Sequence, residues 1–153
     1  MKMSKYVPSH LSKSDKKIQK NMLKKSKKEY KRGVYSTRKK LKSFKGKESK
    51  HMKKLRKMYK VDKIVLGSRK SMNKLAKTTG CSVRAMKEIA KKGMGAYYSQ
   101  GSRPNQSAHS WGIARLASSL TGGNAVKQDI KILRKGCSKR SRALKLAEKT
   151  FKK

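Results

Sequence analysis

Acidic residues are scarce in this 153-residue chain, where 7 Asp and Glu stand against 46 Lys and Arg and leave a formal net charge of +39. The few carboxylates are isolated among lysines, and His10, His51 and His109 are scattered. No acid/base pair, and no nucleophile with a local base, can be assembled from such a pattern. We therefore expect no enzymatic activity and no cofactor.

Long apolar runs are also missing. The longest aliphatic run is Ile64-Val65-Leu66, far short of the roughly 20 apolar residues that a membrane span requires. The first 31 residues interleave single apolar residues with lysines and contain no apolar signal core. We expect a protein that is not an integral membrane protein and is not secreted.

Cysteine is rare as well. Cys81 and Cys137 are the two thiols, too few for a disulfide framework and compatible with a reducing compartment. We expect both to be small, buried core residues. A metal site would have to combine them with His109, but the spacings contain no short ligand pair of the kind zinc sites show. We predict no metal site.

Composition divides the chain near residue 63. Residues 1–63 form a basic arm with few aliphatic side chains, which cannot offset its own ordering entropy. Within this extended arm we predict a helix capped by Ser12 or Ser14 and ending near Gly33, and a second helix over 49–59. The arm is thus predicted to be partly helical.

Residues 64–153 have a globular composition, and we predict a small α-helical domain. Apolar periodicity and capping residues indicate five helices. A glycine-rich loop over 93–106 is predicted after the second helix, which Ser82 caps and Gly93 stops. The predicted helices are 71–79, 82–92, a helix opened by Ser107, a helix from Asn124 to Gly136, and 138–151. The predicted fold class is all-α.

Residues 75–89 are typical of a helix-turn-helix, with Gly80 at the position of a left-handed turn. If this unit binds DNA, Arg84, Lys87 and Lys91 lie on the exposed face of its second helix. The alternative is that the pair of helices is only a packing unit, since this geometry is common in helical proteins.

Aromatic residues occur at intervals among the lysines of the arm. Tyr6, Tyr30, Tyr35, Phe44 and Tyr59 could stack nucleic-acid bases. The alternative, which we favour at this point, is that each ring anchors the arm to a neighbouring protein.

Binding to polyanions is predicted for basic clusters along the chain. Of the 46 basic residues only ten are Arg, and Lys is a point charge with little capacity for bidentate base recognition. This bias favours nonspecific electrostatics. The predicted polyanion-binding residues are Lys24, Lys25, Lys27, Lys28, Arg38, Lys39, Lys40, Lys53, Lys54, Arg84, Lys87, Lys91, Arg103 and Arg115.

A resemblance rests mainly on residues 92–118 and 120–123. The word Gly-Ser-Arg-Pro-Asn-Gln at 101–106 is followed by Ser-Trp at 110–111 and Ala-Arg-Leu-Ala-Ser at 114–118. These words resemble an uncharacterised lysine-rich domain family of large double-stranded DNA viruses of algae and protists and of some tailed phages, and the resemblance covers most of the chain. It implies a viral origin but no mechanism, because the family has no assigned activity.

Charge and resemblance together lead us to expect a non-enzymatic structural component of a large DNA virus virion. It would be a basic minor capsid or internal virion protein that bridges acidic surfaces of capsid subunits and is ordered only within the assembly. The alternatives are a viral DNA-binding or genome-packaging protein, using the arm and the helix-turn-helix-like unit, and a ribosomal-type RNA binder. Expected partners are capsid proteins of the same virus, and DNA by nonspecific electrostatics. The expected location is the virion, after an intracellular stage in the infected host cell.

Overall fold

A computed structural model describes residues 3–46 and 48–153, without the side chains of residues 3 and 4; Met1, Lys2 and Lys47 of the predicted arm lie outside the described residues. In this part of the chain there are seven α-helices, a short 3-10 helix at Met3–Tyr6 and no strand. The predicted all-α class is therefore confirmed. The helices are α1 Lys13–Lys31, α2 Lys50–Tyr59, α3 Arg69–Thr79, α4 Val83–Ser99, α5 Ala108–Leu120, α6 Val126–Gly136 and α7 Arg142–Lys152.

Among the described residues, none of these helices has the length and apolar character needed to cross a membrane.

The chain divides into two compact units. Unit 1 comprises Met1–Lys47 and Gly93–Trp111, and unit 2 comprises Glu48–Lys92 and Gly112–Lys153. Each unit therefore takes part of α4 and part of α5. This division differs from the compositional boundary near residue 63, because composition does not show which distant segment supplies a partner surface for residues 1–47.

Unit 2 contains a conventional apolar core, built from all the helices that this unit includes. In α2, Leu55 and Tyr59 are buried. The Tyr59 hydroxyl donates a 2.6 Å hydrogen bond to the Leu120 carbonyl, and burial raises the pKa of Tyr59 to about 12. The core also includes Val61, Ile64, Met72, Leu75, Met86, Ile89, Leu116, Ala117, Leu120, Val126, Ile130, Leu133, Ala143, Leu144 and Ala147.

Two turns of unit 2 are joined covalently. Cys81, after α3, and Cys137, after α6, form a disulfide bond across 56 residues of sequence. Backbone hydrogen bonds of 2.8 Å flank it, from the Ser82 amide to the Gly136 carbonyl and from the Ser138 amide to the Gly80 carbonyl. Both cysteines are buried, as predicted. Their pairing did not follow from the sequence, because spacing along the chain does not reveal that these turns are neighbours.

Unit 1 has few buried apolar side chains, and polar residues take their place. Helix α1 begins after Ser12, whose hydroxyl accepts a 3.1 Å hydrogen bond from the Asp15 amide, so the predicted cap is confirmed. The residues that α1 buries are Gln19, Leu23 and Ser26. Two of these three are polar, and unit 1 therefore depends on hydrogen bonding to satisfy them.

Helix α4 is longer than predicted. Its expected stop at Gly93 is wrong, because the helix continues through Gly93 and Gly95 to Ser99. A glycine inside a helix costs only about 1 kcal/mol relative to alanine. The side chain of Tyr97, one turn further on, is fully buried, and burying a side chain of this size stabilises by about 2 kcal/mol or more. The predicted loop over 93–106 is thus half helix.

Other helix boundaries follow their capping residues. Ser82 caps α4 and Ser107 caps α5 through hydrogen bonds from the Ala85 and Ser110 amides, as predicted. Asn124 is not the cap of α6, because Ala125 precedes this helix and donates its amide to the Ser118 hydroxyl instead. The last helix begins at Arg142 with Ser141 as cap, later than the predicted residue 138.

Candidate polyanion-binding surface

Helix α1 carries a stripe of lysines in unit 1. Seven exposed lysines lie along its length at steps of three or four residues, except that Lys28 directly follows Lys27. We call this set the lysine stripe: Lys13, Lys17, Lys20, Lys24, Lys27, Lys28 and Lys31. Residues at this spacing lie on one side of a helix. The buried residues Gln19, Leu23 and Ser26 repeat with the same period on the other side.

No carboxylate interrupts the lysine stripe. The acids of α1 are Asp15, which accepts hydrogen bonds from Ser43, and Glu29, which lies 3.8 Å from the Nζ of Lys25, a lysine outside the stripe. Like charges one helical turn apart destabilise a helix by a few tenths of a kcal/mol per pair. The free chain therefore bears a repulsion along α1 that an anionic partner would relieve.

The length of the lysine stripe suits an extended polyanion. A helix of 19 residues is about 28 Å long. Duplex DNA carries one negative charge per roughly 1.7 Å of axis, so several phosphates fall within reach of such a stripe.

Most of the predicted polyanion-binding residues are exposed, but they are divided between the units. Unit 1 contains Lys24, Lys25, Lys27, Lys28, Lys39, Lys40 and Arg103, of which three belong to the lysine stripe. Unit 2 contains Lys53 and Lys54 on α2, and Arg84, Lys87 and Lys91 on α4. Their exposure keeps all of these residues as candidates.

Arg38 is a predicted contact residue that has partners inside unit 1. Its guanidinium donates 2.9 Å hydrogen bonds to the hydroxyls of Ser26 and Ser102 and stacks 3.8 Å from the ring centroid of Tyr97. Burial lowers its pKa below the usual range, but the guanidinium remains charged because an arginine titrates far above neutral pH. Arg38 therefore acts as an internal cation in unit 1, and its predicted contact with a polyanion stays a prediction.

Arg115 also has an internal partner, in unit 2. Its guanidinium forms a two-pronged pair with the fully buried carboxylate of Asp129, at 3.1 and 2.7 Å. Ser119 donates a further 2.7 Å hydrogen bond to Asp129, and the Nζ of Lys92 lies 3.6 Å from it. A buried carboxylate needs such compensation, so Arg115 has a structural role in unit 2, and its predicted contact with a polyanion stays a prediction.

The segment Gly-Ser-Arg-Pro-Asn-Gln at 101–106 contacts several other segments of unit 1. Gly101 has φ of +106°, and a Cβ there would lie 2.8 Å from Leu23. The carbonyl of Ser102 accepts a 3.3 Å hydrogen bond from the side chain of Gln19. Asn105 brackets the backbone of Leu41, accepting from its amide at 2.6 Å and donating to its carbonyl at 3.2 Å. This word therefore holds the N-terminal segment in place.

Four tyrosines of unit 1 contact one another in a row. Tyr35 lies next to Tyr30, with centroids 5.9 Å apart, and next to Tyr98, at 5.1 Å. Tyr98 meets Tyr97 edge to face at 5.1 Å. We call Tyr30, Tyr35 and Tyr98 the tyrosine platform. Tyr35 is 66% exposed, whereas Tyr97 beneath the guanidinium of Arg38 is fully buried.

Trp111 is half-buried and meets Tyr6 edge to face at 5.8 Å.

Sequence reasoning missed four of the seven lysines of the lysine stripe. Lys13, Lys17, Lys20 and Lys31 were not among the predicted contacts, although their spacing from Lys24 follows the helical period. The signal was present, since periodicity applied to lysines instead of apolar residues would have found it.

The described part of the chain contains no group of three or more His, Cys, Asp or Glu residues that could hold a metal ion.

Comparison with known proteins identifies a family. Residues 4–139 match the model of a family of unknown function, DUF5824. The match covers most of the chain, which therefore belongs to this family. No curated protein and no solved structure matches it.

Proposed function

We propose that this chain is a non-enzymatic structural component of a large DNA virus virion. As a minor capsid or internal virion protein, it would use its lysine surfaces to bridge acidic faces of capsid subunits. The observation that carries the proposal is the lysine stripe of α1, a row of exposed cations without an interrupting acid. The viral setting rests on the resemblance of residues 92–123.

Electrostatics supports a binding role for the stripe. A net charge of +39 on 153 residues opposes the compact state, and neutralisation by a polyanion offsets this repulsion. The internal partners of Arg38 and Arg115 leave a binding surface that consists mainly of lysine. Lysine contacts suit an extended anionic surface better than a specific base sequence.

A second candidate function is DNA binding or genome packaging. The tyrosine platform favours it, because Tyr35 is exposed four residues after the end of α1, where the lysine stripe also ends. A ring in this position has no electrostatic reason to contact an acidic protein face, whereas a nucleobase offers it a stacking partner. The helix-turn-helix reading of α3 and α4 remains a prediction.

Titration across a salt series tests the proposal. We would measure binding of the full-length protein to duplex DNA and to polyglutamate, a probe of acidic protein surfaces, by fluorescence anisotropy. For DNA, log K should fall by about 0.9 per log unit of salt for each phosphate neutralised. Replacing Lys17, Lys20, Lys24 and Lys28 with Gln should reduce that slope by up to about 3.6 and should weaken polyglutamate binding.

A matched control has the same loss of charge on unit 2. This control replaces four exposed lysines with Gln: Lys70, Lys77, Lys127 and Lys131. It should change the salt slope of DNA binding and the affinity for polyglutamate less than the stripe variant does. Equal effects of the two variants would contradict a role for the lysine stripe. Preference for polyglutamate over DNA would support bridging of capsid subunits, and the reverse preference would support the second candidate. Proteomic absence of the chain from purified virus particles would contradict the virion role.

A further inference from the structure

The tyrosine platform exposes aromatic surface in a strongly basic part of the chain. Tyr35 is 66% exposed, Val34 is 49% exposed and Tyr30 is 37% exposed. These are the more exposed large apolar side chains of unit 1. An exposed apolar patch among polar residues marks an interaction site more often than it marks packing.

The platform has a rigid support. Behind Tyr35, the ring of Tyr98 meets Tyr97 edge to face, and Tyr97 is fully buried. The guanidinium of Arg38 stacks on Tyr97 while its backbone amide donates a 3.1 Å hydrogen bond to the Tyr97 hydroxyl. A ring held in this way loses little conformational entropy when a flat ligand stacks on it.

The charge around the platform selects an anionic occupant. Residues 24–40 contain one acid, Glu29, which lies beside Lys25. The exposed cations near Tyr30 and Tyr35 in sequence are Lys27, Lys28, Lys31, Arg32, Lys39 and Lys40. A ligand must therefore combine negative charge with a flat, apolar face. Single-stranded nucleic acid has both, because each unpaired base exposes a π-face and each link carries a phosphate.

We propose that Tyr35, supported by Tyr30 and Tyr98, stacks an unpaired nucleobase of a single-stranded nucleic acid whose phosphates lie along the lysine stripe. The inference rests on the second candidate function and adds its substrate class. The phosphates of duplex DNA could bind the lysine stripe, but its bases could not stack on Tyr35, because they are already stacked on one another. Stacking tolerates any base, so the site selects strandedness and not sequence.

Two oligonucleotides of equal length separate stacking from charge. We would compare a 12-nucleotide oligothymidine with an abasic strand that has the same sugar and phosphate groups, by anisotropy with the full-length protein. The wild-type protein should prefer the strand with bases by about 5-fold to 150-fold, the range for one stacked base. This comparison requires no mutation, so it does not depend on the folding of a variant.

Two variants assign the preference to Tyr35. Y35A should lose the preference for oligothymidine and bind the abasic strand as before, whereas Y35F keeps the ring and should behave as wild type. Hydrogen exchange of α1 checks that each variant is folded. The quadruple Gln variant of the lysine stripe should weaken binding of the oligothymidine and of the abasic strand by the same factor.

The outcomes distinguish the two proposals. If both strands bind equally well, or if Y35F loses as much affinity as Y35A, the stacking site is overturned while charge-driven binding stands. If neither strand binds at low salt, the candidate DNA-binding function fails and the stacking site fails with it. If Y35A weakens polyglutamate as much as oligothymidine, the platform is a protein-docking surface and our inference is wrong.

Discussion

The two units of this chain are stabilised by different kinds of interaction. Unit 2 buries a large set of aliphatic side chains and closes two of its turns with the Cys81–Cys137 disulfide. Unit 1 buries few apolar residues and satisfies Gln19, Ser26 and Ser102 through hydrogen bonds with the backbone and with Arg38. An apolar core depends on volume and shape, whereas a buried polar network is costly when one of its members is left unsatisfied.

The polar contacts of unit 1 are related to its high content of lysine. The lysine stripe and the tyrosine platform both belong to unit 1. A segment so rich in lysine has few aliphatic residues to bury, so specific polar contacts must hold it. We therefore expect unit 1 to respond to single changes in polar groups, and unit 2 to respond to changes in covalent closure and packing.

The largest expected effect is loss of the disulfide in unit 2. In the chain-entropy account, closing a loop of this size stabilises by about 4 kcal/mol. The double variant C81S/C137S should lower the free energy of unfolding of unit 2 by about that amount, measured by hydrogen exchange of core amides in α3 and α6. Dithiothreitol should reproduce this effect on the wild-type protein and add nothing to the variant. Two free thiols in the untreated, fully protected protein would contradict the prediction.

A smaller loss is expected when the Arg38 network of unit 1 is broken. R38A leaves the hydroxyls of Ser26 and Ser102 without their donor, at a cost of about 2 to 3 kcal/mol. R38K keeps the charge but loses the forked donor and the stacking on Tyr97, so most of the loss should remain. Hydrogen exchange of α1 measures the effect.

A matched control for Arg38 is Arg32, which is exposed. R32A should leave the exchange of α1 amides nearly unchanged. Equal protection of α1 in the R38A and wild-type proteins would show that the network does not stabilise unit 1.

Two glycines of unit 2 differ in how much space surrounds them, and replacing each with Ala tests the packing of this unit. A Cβ on Gly136 would clash with the Cβ of Ala85, whereas a Cβ on Gly67 would meet nothing within 4 Å. Gly136→Ala should destabilise by about 1 to 3 kcal/mol through overpacking, and Gly67→Ala should change stability by less than about 1 kcal/mol. Thermal unfolding followed by circular dichroism compares the two; similar midpoints would argue against the close approach at Gly136.

The smallest expected effect concerns acid pH in unit 1. Asp15 accepts hydrogen bonds from the hydroxyl and the amide of Ser43, and these lower the pKa of its carboxyl group. Because the pKa is lower in the folded state, the stabilisation is present above the unfolded value of about 3.9 and is lost as pH falls through the folded value. The NMR shift of the Ser43 amide should follow this titration.

S43A provides the matched comparison for Asp15. Without the Ser43 hydroxyl, the pKa of Asp15 should rise toward its ordinary value, and protonation should occur at higher pH. An unchanged titration in S43A would mean that the backbone amide and the other neighbours of Asp15 account for the shift.

Local signals in the sequence predicted local structure well. Ser12, Ser82 and Ser107 cap helices as expected, and Gly80 takes the left-handed conformation that ends α3, with φ of +78°. These features depend on residues within one helical turn. Predictions failed where a residue far away in the sequence was involved. At Gly93 the expected stop is wrong because α4 continues to Ser99 and buries Tyr97, whose ring and hydroxyl contact Arg38, 59 residues away in the sequence.

The candidate site was predicted only in part, again because local patterns can be read from the sequence and contacts between distant residues cannot. Charge alone indicated a polyanion partner, and exposed lysines of α1, α2 and α4 follow from the helical period. The internal partners of Arg38 and Arg115 were not foreseen, because Ser102 and Asp129 lie 64 and 14 residues away. The tyrosine platform was also hidden, since Tyr98 is 63 positions after Tyr35 in the sequence.

Lysine excess, helical periods and capping residues, all properties of short stretches of chain, determined that this protein is helical, basic and suited to an anionic partner. Tertiary structure alone decided that Cys81 meets Cys137, which arginines are internal, and which rings form an exposed surface. The physical reason is that these features depend on contacts between residues far apart in sequence, and such contacts exist only once the helices have packed.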